Sequence, residues 1–293
     1  MVRDGAGHSP MEEKMLDFVI DETRCIQCGE CAADCPVNVI DASGGFPRIP
    51  ESRQSYCIRC QHCLAVCPTA ALSILDKNPD HSAAILPVPA DGIENLIKSR
   101  RSVRRYLPDA VDQAVLNRLM DVVAHAPTGK NQRQVRFTLV DDPRVMEAIR
   151  VQTMDGIRKA AVEDSLPDGM EFFAKLLAAY DQGRDVIYRR APHMIIASAS
   201  RDAAAPEADP FIALSCFELM AQSLGLGTLW CGFARWALQS VVPELGRALG
   251  IPADHRSMYA MMFGHPAVHY VRAVQREALG VRRVVLADVE EKR

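Results

Sequence analysis

Cys25-Ile26-Gln27-Cys28-Gly29-Glu30-Cys31-Ala32-Ala33-Asp34-Cys35-Pro36 returns 32 residues later as Cys57-Ile58-Arg59-Cys60-Gln61-His62-Cys63-Leu64-Ala65-Val66-Cys67-Pro68. Eight of the chain's ten cysteines fall in these two runs. The same spacing, two residues, two residues, three residues and then proline, occurs twice, so the segment is an internal repeat. Three thiolates two residues apart line a tight loop that can wrap three corners of an Fe4S4 cube. The fourth faces away and reaches the other cube. The pattern predicts crossed ligation, with one cluster on Cys25, Cys28, Cys31 and Cys67 and the other on Cys57, Cys60, Cys63 and Cys35. A short helix is expected after each Cys-Pro step, and Met15, Ile26, Ile40, Ile58 and Leu72 are expected to pack around the cubes. Structural zinc sites favour paired Cys-x2–4-Cys motifs instead of a triple run ending in Pro. Disulfides do not suit a chain that reads as cytoplasmic.

Outward from the repeat, 293 residues at roughly 150 per domain suggest about two domains. With 48% hydrophobic and 24% charged residues the chain is an ordinary globular protein, neither collagen-like, disordered nor a disulfide scaffold. Residues 1–80 carry 7 Lys/Arg against 12 Asp/Glu, a balance of -5, while the remainder carries +2. That acidic front end argues against nucleic acid and for a basic protein partner or none. No apolar run approaches a membrane span, and Met1 to Met15 lack the profile of a signal peptide. A cytoplasmic protein is expected.

A Pro-punctuated stretch, Lys77-Asn-Pro-Asp and then Leu86-Pro-Val-Pro-Ala-Asp, reads as a linker. The boundaries are therefore 1–80, linker 81–91, and 92–293. Beyond the linker, helices are expected over Asp112–Ala126, Pro143–Ala161, Met170–Asp181, Asp209–Leu224 and Ala237–Leu249. Strands are expected over Phe137–Val140, His193–Ala199, Thr228–Phe233 and Ser257–Phe263. Asp209–Leu224 is nearly apolar all round, which makes it central. No Gly-x-Gly-x-x-Gly follows a strand, so a Rossmann domain is not indicated.

Three local motifs stand out in this second region. Ser99-Arg-Arg-Ser-Val-Arg-Arg-Tyr106 gathers four arginines and hydroxyls in eight residues, a set able to hold a phosphate dianion or simply a solvated basic turn. Ala126-Pro-Thr-Gly-Lys-Asn131 ends an amphipathic helix and exposes backbone N–H groups and a side-chain amide. Leu224-Gly-Leu-Gly-Thr-Leu-Trp-Cys-Gly-Phe233 carries glycines that permit close approach to a flat ligand. It is followed by Gly264-His265-Pro266 and by Arg276. Of the two isolated cysteines, Cys216 reads as a buried free thiol, and Cys231 as a small apolar filler or a group tuning a bound ring.

Residues 20–75, with flanking strands Phe18–Ile20 and Ala71–Leu75, resemble a bacterial two-cluster ferredoxin. Residues 92–276 resemble the FMN-dependent nitroreductase family in the order and spacing of their motifs. Together the resemblances imply an α+β chain, a two-cluster ferredoxin-like domain followed by a mixed sheet wrapped by helices, assembled as a homodimer with FMN at each end of the interface. Carried over by position, Arg100, Arg101, Ser102, Arg104 and Arg276 hold the ribityl phosphate. Pro127, Thr128, Gly129 and Asn131 reach the flavin from the other subunit, and Leu229, Trp230, Cys231 and Gly232 pass beside the isoalloxazine. The chain departs from the family at Arg133-Gln134-Val135 and at His265, where Tyr is common, and this bears on the substrate pocket. The implied activity is an FMN-dependent reductase fed through two [4Fe-4S] clusters by an external low-potential donor, ferredoxin-like or NAD(P)H-linked. Its small-molecule acceptor is a nitroaromatic, quinone or activated alkene, and no single catalytic side chain is nominated. The alternatives are a dehydrogenase running in reverse, or an electron-transfer or redox-sensing protein without an organic substrate.

Overall fold

In the computed structural model, which describes residues 16–255, 257–286 and 288, the two halves of the cysteine repeat fold alike. Their elements are β1 (Val19–Ile20), α1 (Glu30–Ala33), α2 (Glu51–Gln54), α3 (His62–Val66) and β2 (Leu72–Ser73). β1 and β2 pair antiparallel and tie the ends of the unit together. Left-handed backbone recurs with the sequence: Gln27 and Arg59 both at φ 55°, Gly29 and Gln61 at 79° and 60°, Asn38 and Ala70 at 52° and 51°. The helical turns precede each Cys-Pro step, which corrects the expected order. Three residues between two cysteines span about one helical turn, whereas the residue before a proline is pushed out of the α region, as Cys67 is at ψ 112°. Leu16, Val39, Ile40, Ile49, Leu64, Leu72 and Ile74 make the small core. Ile26, expected against a cube, lines one cysteine cavity while remaining 64% exposed in the single chain, and Met15 lies outside the described residues.

An irregular, exposed stretch over 82–89 leads into α4 (Ala90–Ser99), a helix that sequence reading placed partly in the linker. Pro89 stands just before its first turn, where the missing N–H removes no helical bond, so this proline starts the helix instead of breaking it. There follow α5 (Gln113–Val123), β3 (Arg136–Val140), α6 (Pro143–Val162), α7 (Phe172–Asp181), β4 (His193–Ala199), α8 (Asp209–Ser223), β5 (Gly227–Trp230), α9 (Gly232–Trp236), α10 (Pro243–Ala248) and β6 (Ser257–Gly264).

The four strands run in the order β3-β4-β6-β5, every neighbour antiparallel. Ser102 adds a parallel bridge to Thr228, and Val103 N–H donates to the Thr228 carbonyl at 2.8 Å, which makes the sheet mixed. Alternation sorts β4 between two layers. Met194 and Ile196 join the core under α6 and α7, while Ile195 and Ala197 join the one under α5 and α8. Every residue of β4 is buried, as expected of a central strand covered on both faces.

Two expected elements differ. The strand expected over Thr228–Phe233 ends at Trp230, because Cys231 caps α9 with its sulfur accepting the Ala234 N–H at 3.4 Å. The helix expected over Ala237–Leu249 is interrupted at Val242 (φ -128°, ψ 58°), which precedes Pro243 and is excluded from helical backbone by it. After β6 a half-buried turn bridges Pro266 to Tyr106, and from 269 onward the described chain is exposed, including Val284, Val285 and Leu286. Ala287, the last residue of that apolar run, is outside the described residues.

Candidate functional site

Each tight loop of the repeat closes over a small cavity. One is lined by Cys25, Cys28, Cys31 and Cys67 together with Ile20, Ile26 and Leu72. The other is lined by Cys57, Cys60, Cys63 and Cys35 with Val39, Ile40, Ile49 and Ile58. In each, three thiols come from one half of the repeat and the fourth from the other. Among the described residues no three His, Cys, Asp or Glu side chains converge closely enough for a single ion. Four thiols lining one cavity, three on a tight loop and one from the other half, are a donor set that fits a cube. Burial pushes the Cys63 thiol up to about 12, and burial likewise raises Cys31 and Cys57. At Cys67 burial also raises the thiol, but the Ala71 N–H at 3.3 Å and the Thr69 hydroxyl outweigh it and hold the group below its ordinary value. Buried thiols that must lose protons to ligate favour a positive partner at the centre of each cavity.

In the second unit, a cavity of about 340 Å³ is lined by Arg104, Val186, Ile187, Arg189, Leu229, Trp230, Cys231, Gly232, Phe233 and Trp236. It unites Arg104 with all four residues of the Leu229–Gly232 segment, and its size falls within the ~300–1,000 Å³ of small-ligand sites. Val186, Ile187 and Arg189 escaped sequence reading because they belong to no local motif. Phe172, Phe233 and Trp236 form an aromatic triad beside it, centroids 5.7 to 6.1 Å apart. Cys231 is buried, donates to the Ile187 carbonyl at 3.1 Å and is pushed up to about 11 by burial, so it packs and caps. Cys216, expected to be buried, is only half-buried on α8.

The arginine cluster runs along β5 in extended form. Arg100 donates to Glu218 at 3.1 Å, and the same carboxylate oxygen accepts from Thr228 at 3.0 Å. Arg101 Nη2 donates to the Lys98 carbonyl at 2.6 Å, yet its Nε is buried without a partner. An orphaned guanidinium N–H of this kind is what an absent anion would satisfy. Ser102 is half-buried at the bridge to Thr228. Arg276 lies in the exposed segment after β6, and no described contact joins it to Arg100–Arg104. Two glycines of the third motif serve the chain itself, while Gly232 lines the cavity. Gly225 turns at φ 77°, and a Cβ on Gly227 would meet Val103 at 2.6 Å.

The loop over 127–133 is clamped from three sides. Both Asp209 oxygens accept the Gly129 N–H at 3.1 and 3.2 Å. Gln132 Oε1 accepts the Ala204 N–H at 2.6 Å, and Thr128 Oγ1 accepts the Arg133 N–H at 2.9 Å. Asn131 Nδ2 donates to the carbonyl of Ile58, in the cysteine repeat, at 2.9 Å. The amide that sequence reading directs at a ring system thus bonds the first unit. Lys130, Asn131 and Arg133 are all left-handed, at φ 53°, 53° and 52°. Such strain persists only where surroundings over-determine it.

Residues 97–265 match the family model described as "Nitroreductase family", and residues 18–78 match the "4Fe-4S dicluster domain". The first match covers more than half of the chain, which belongs to the nitroreductase family. Over 140 residues the chain is 28% identical to a 5,6-dimethylbenzimidazole synthase of Rhodobacter capsulatus, covering 48% of this chain and 64% of that protein. Over 182 residues it is 27% identical to an NADH dehydrogenase of Thermus thermophilus, covering 57% and 83%. The chain thus spans less than two thirds of the length of the first of these relatives. A nitroreductase with bound FMN from Desulfitobacterium hafniense superposes with a TM-score of 0.52 at 20% identity, over 67% of this chain and 100% of that one, which shows the shared fold.

Proposed function

We propose that the chain is an FMN-dependent oxidoreductase that receives electrons through two [4Fe-4S] clusters and reduces an organic acceptor such as a nitroaromatic, a quinone or an activated alkene. The observation that carries this reading is one chain holding two crossed sets of four thiols and, on a nitroreductase fold, a cavity lined by Arg104, Leu229–Gly232 and aromatic side chains. Bound at that cavity, FMN supplies exchange between one-electron and hydride chemistry. Arg100, Arg101, Ser102, Arg104 and Arg276 are assigned to its phosphate, with the partnerless Nε of Arg101 as structural support. Leu229, Trp230, Cys231 and Gly232 are assigned to one flank of the ring. Pro127, Thr128 and Gly129 are assigned to the same ring from a second copy of the chain, while the Asn131 amide is engaged with Ile58. Phe233 and Trp236, tilted 59° to each other, offer an apolar wall that orients a planar acceptor and excludes water. A homodimer follows from this shared site, and it would cover Phe211 and Ile212 on α8 and the Val284–Leu286 run, all exposed in the single chain.

Arg101→Ala and Arg104→Ala each remove charge-assisted bonds worth about 1.5–3 kcal/mol, so flavin affinity falls roughly ten- to a hundredfold per change. Undiminished flavin in the double variant overturns the phosphate assignment. Anaerobic steady-state assays, with reduced ferredoxin or NAD(P)H as donor and a panel of acceptors, test the activity itself. No turnover with any acceptor favours a redox sensor, and turnover with NAD(P)H alone removes the clusters from the route.

A further inference from the structure

Ile26 and Ile58 occupy equivalent places, each following the first cysteine of its half, and Gln27 and Arg59 after them share φ 55°. Their surroundings are unlike. Ile58 is half-buried and its carbonyl accepts from Asn131 in the strained, clamped loop of the nitroreductase unit. Ile26 is 64% exposed, and Cys28 is exposed where its counterpart Cys60 is half-buried. Charge divides the same way. Residues 21–34 carry Asp21, Glu22, Glu30 and Asp34 against Arg24, while the matching 53–66 carry Arg53 and Arg59 and no carboxylate.

Resting on the function proposed above, we infer that the two clusters are used in a fixed order. Electrons enter at the Cys25 half from a one-electron carrier protein with a basic contact surface, which docks over Ile26 and Cys28. They leave from the Cys57 half across the Ile58–Asn131 hydrogen bond, which makes Asn131 the positioning residue of the outlet. The contact joins the backbone beside the Cys57 ligand to a loop that Asp209, Ala204 and Thr128 hold in place, so it is a fixed contact and not a casual surface touch. At the inlet an exposed apolar residue on a segment with an excess of carboxylates is complementary to a basic carrier, and Cys28, an exposed residue that lines the cavity, brings that carrier close to the cluster site. Each carrier molecule loses one electron. Two such transfers and protons from solvent bring the bound flavin to its two-electron reduced form.

The order is tested by running electrons backwards from the anaerobically reduced holoenzyme into oxidised cytochrome c, a basic haem protein that takes one electron per molecule. Flavin and clusters are followed separately by absorbance and by electron paramagnetic resonance. In Asn131→Leu the clusters should empty at the wild-type rate while flavin oxidation slows by about tenfold or more, as a lost positioning contact allows. In Glu22→Lys/Glu30→Lys all centres should slow by about tenfold or more, with a flatter dependence on ionic strength. Arg53→Glu/Arg59→Glu should not slow them. Should Asn131→Leu lose its flavin, hydrogen exchange supplies the second reading. Amides of residues 56–60 should gain exchange while the matching 24–28 do not. Wild-type flavin oxidation in flavin-loaded Asn131→Leu, unchanged exchange at 56–60, or equal slowing from both charge reversals overturns the order. Absence of flavin or of iron from the wild-type protein would instead refute the underlying function, a distinct outcome.

Discussion

Ile40 and Leu72 are also equivalents in the cysteine repeat, and both are buried, at 7% and 1% exposure. Ile26 and Ile58 are equivalents too, yet one is bare and the other sits under the nitroreductase unit. The contrast separates two demands on a duplicated sequence. Positions that face the cubes are held alike, since holding a cluster requires the same tight loop and the same apolar backing in each half. Ile26 and Ile58 line the cavities as well, but at their rims, where exposure is free to diverge and the neighbours, not the repeat, assign each half its work.

Removing a crossing ligand should have the largest effect. The protein prepared without air should carry about eight irons and eight sulfides per chain. Cys35→Ala lies in the first half but lines the second cavity, so about four irons should be lost, with the Cys57, Cys60 and Cys63 site emptied. Iron analysis with spectroscopic assignment checks this, and loss of the Cys25 site instead would mean that each half holds its own cluster.

Next in size are the buried equivalents. Ile40→Ala and Leu72→Ala should each cost about 2–5 kcal/mol, because both leave cavities in a core too small to collapse around them. Ile26→Ala should change stability by less than about 0.5 kcal/mol, as exposed substitutions do. Chemical denaturation under anaerobic conditions measures all three, and a large cost at Ile26 would mean that its face is already covered in the isolated protein.

These pairs also mark where the sequence was readable. The cysteine spacing was enough to foresee which thiols share a cavity, since ligand geometry leaves little freedom once three sulfurs sit on one loop. Long segments such as α6, whose buried positions recur at three- and four-residue spacing, and α8, nearly apolar all round, were legible from their length and pattern. Local rules failed where a neighbour decided the outcome. The Gly227 backbone lies against Val103, distant in sequence, whereas the break at Val242 was there to be read in the proline after it. Asn131 was legible as a functional amide but not as a bond to Ile58, since nothing in either local sequence names the other. Val186, Ile187 and Arg189 enter the cavity by tertiary packing alone.

The clamp that makes the second half different can be loosened without touching either cluster. Asp209 is buried at the start of α8, and both its oxygens accept the Gly129 N–H. Asp209→Ala leaves that donor without its partner and should cost about 1–3 kcal/mol. Protection of amides 56–60 should fall with it while that of 24–28 stays. Equal loss in both segments would show that the loop stabilises the whole ferredoxin unit and not one face of it.

The smallest expected effect exchanges the two halves at a single backbone position. Gly29 and Gln61 both precede a helical turn in left-handed conformation, at φ 79° and 60°. Only the first is a residue for which that region carries no steric penalty. At Gln61 the side chain brings a penalty of about 1–2 kcal/mol, since its Cβ crowds the following carbonyl. Replacing it by glycine removes this but frees the unfolded chain, a loss of roughly 0.5–1 kcal/mol. Gln61→Gly should therefore stabilise the protein by about 0.5–1 kcal/mol, and Gly29→Gln should destabilise it by a similar amount. A Cβ at Gly29 meets nothing within 4 Å, so the cost there is conformational and not a clash. If Gln61→Gly is instead destabilising, the Gln61 side chain contributes to the face turned toward the nitroreductase unit, and divergence between the halves reaches even the loop that wraps the cluster.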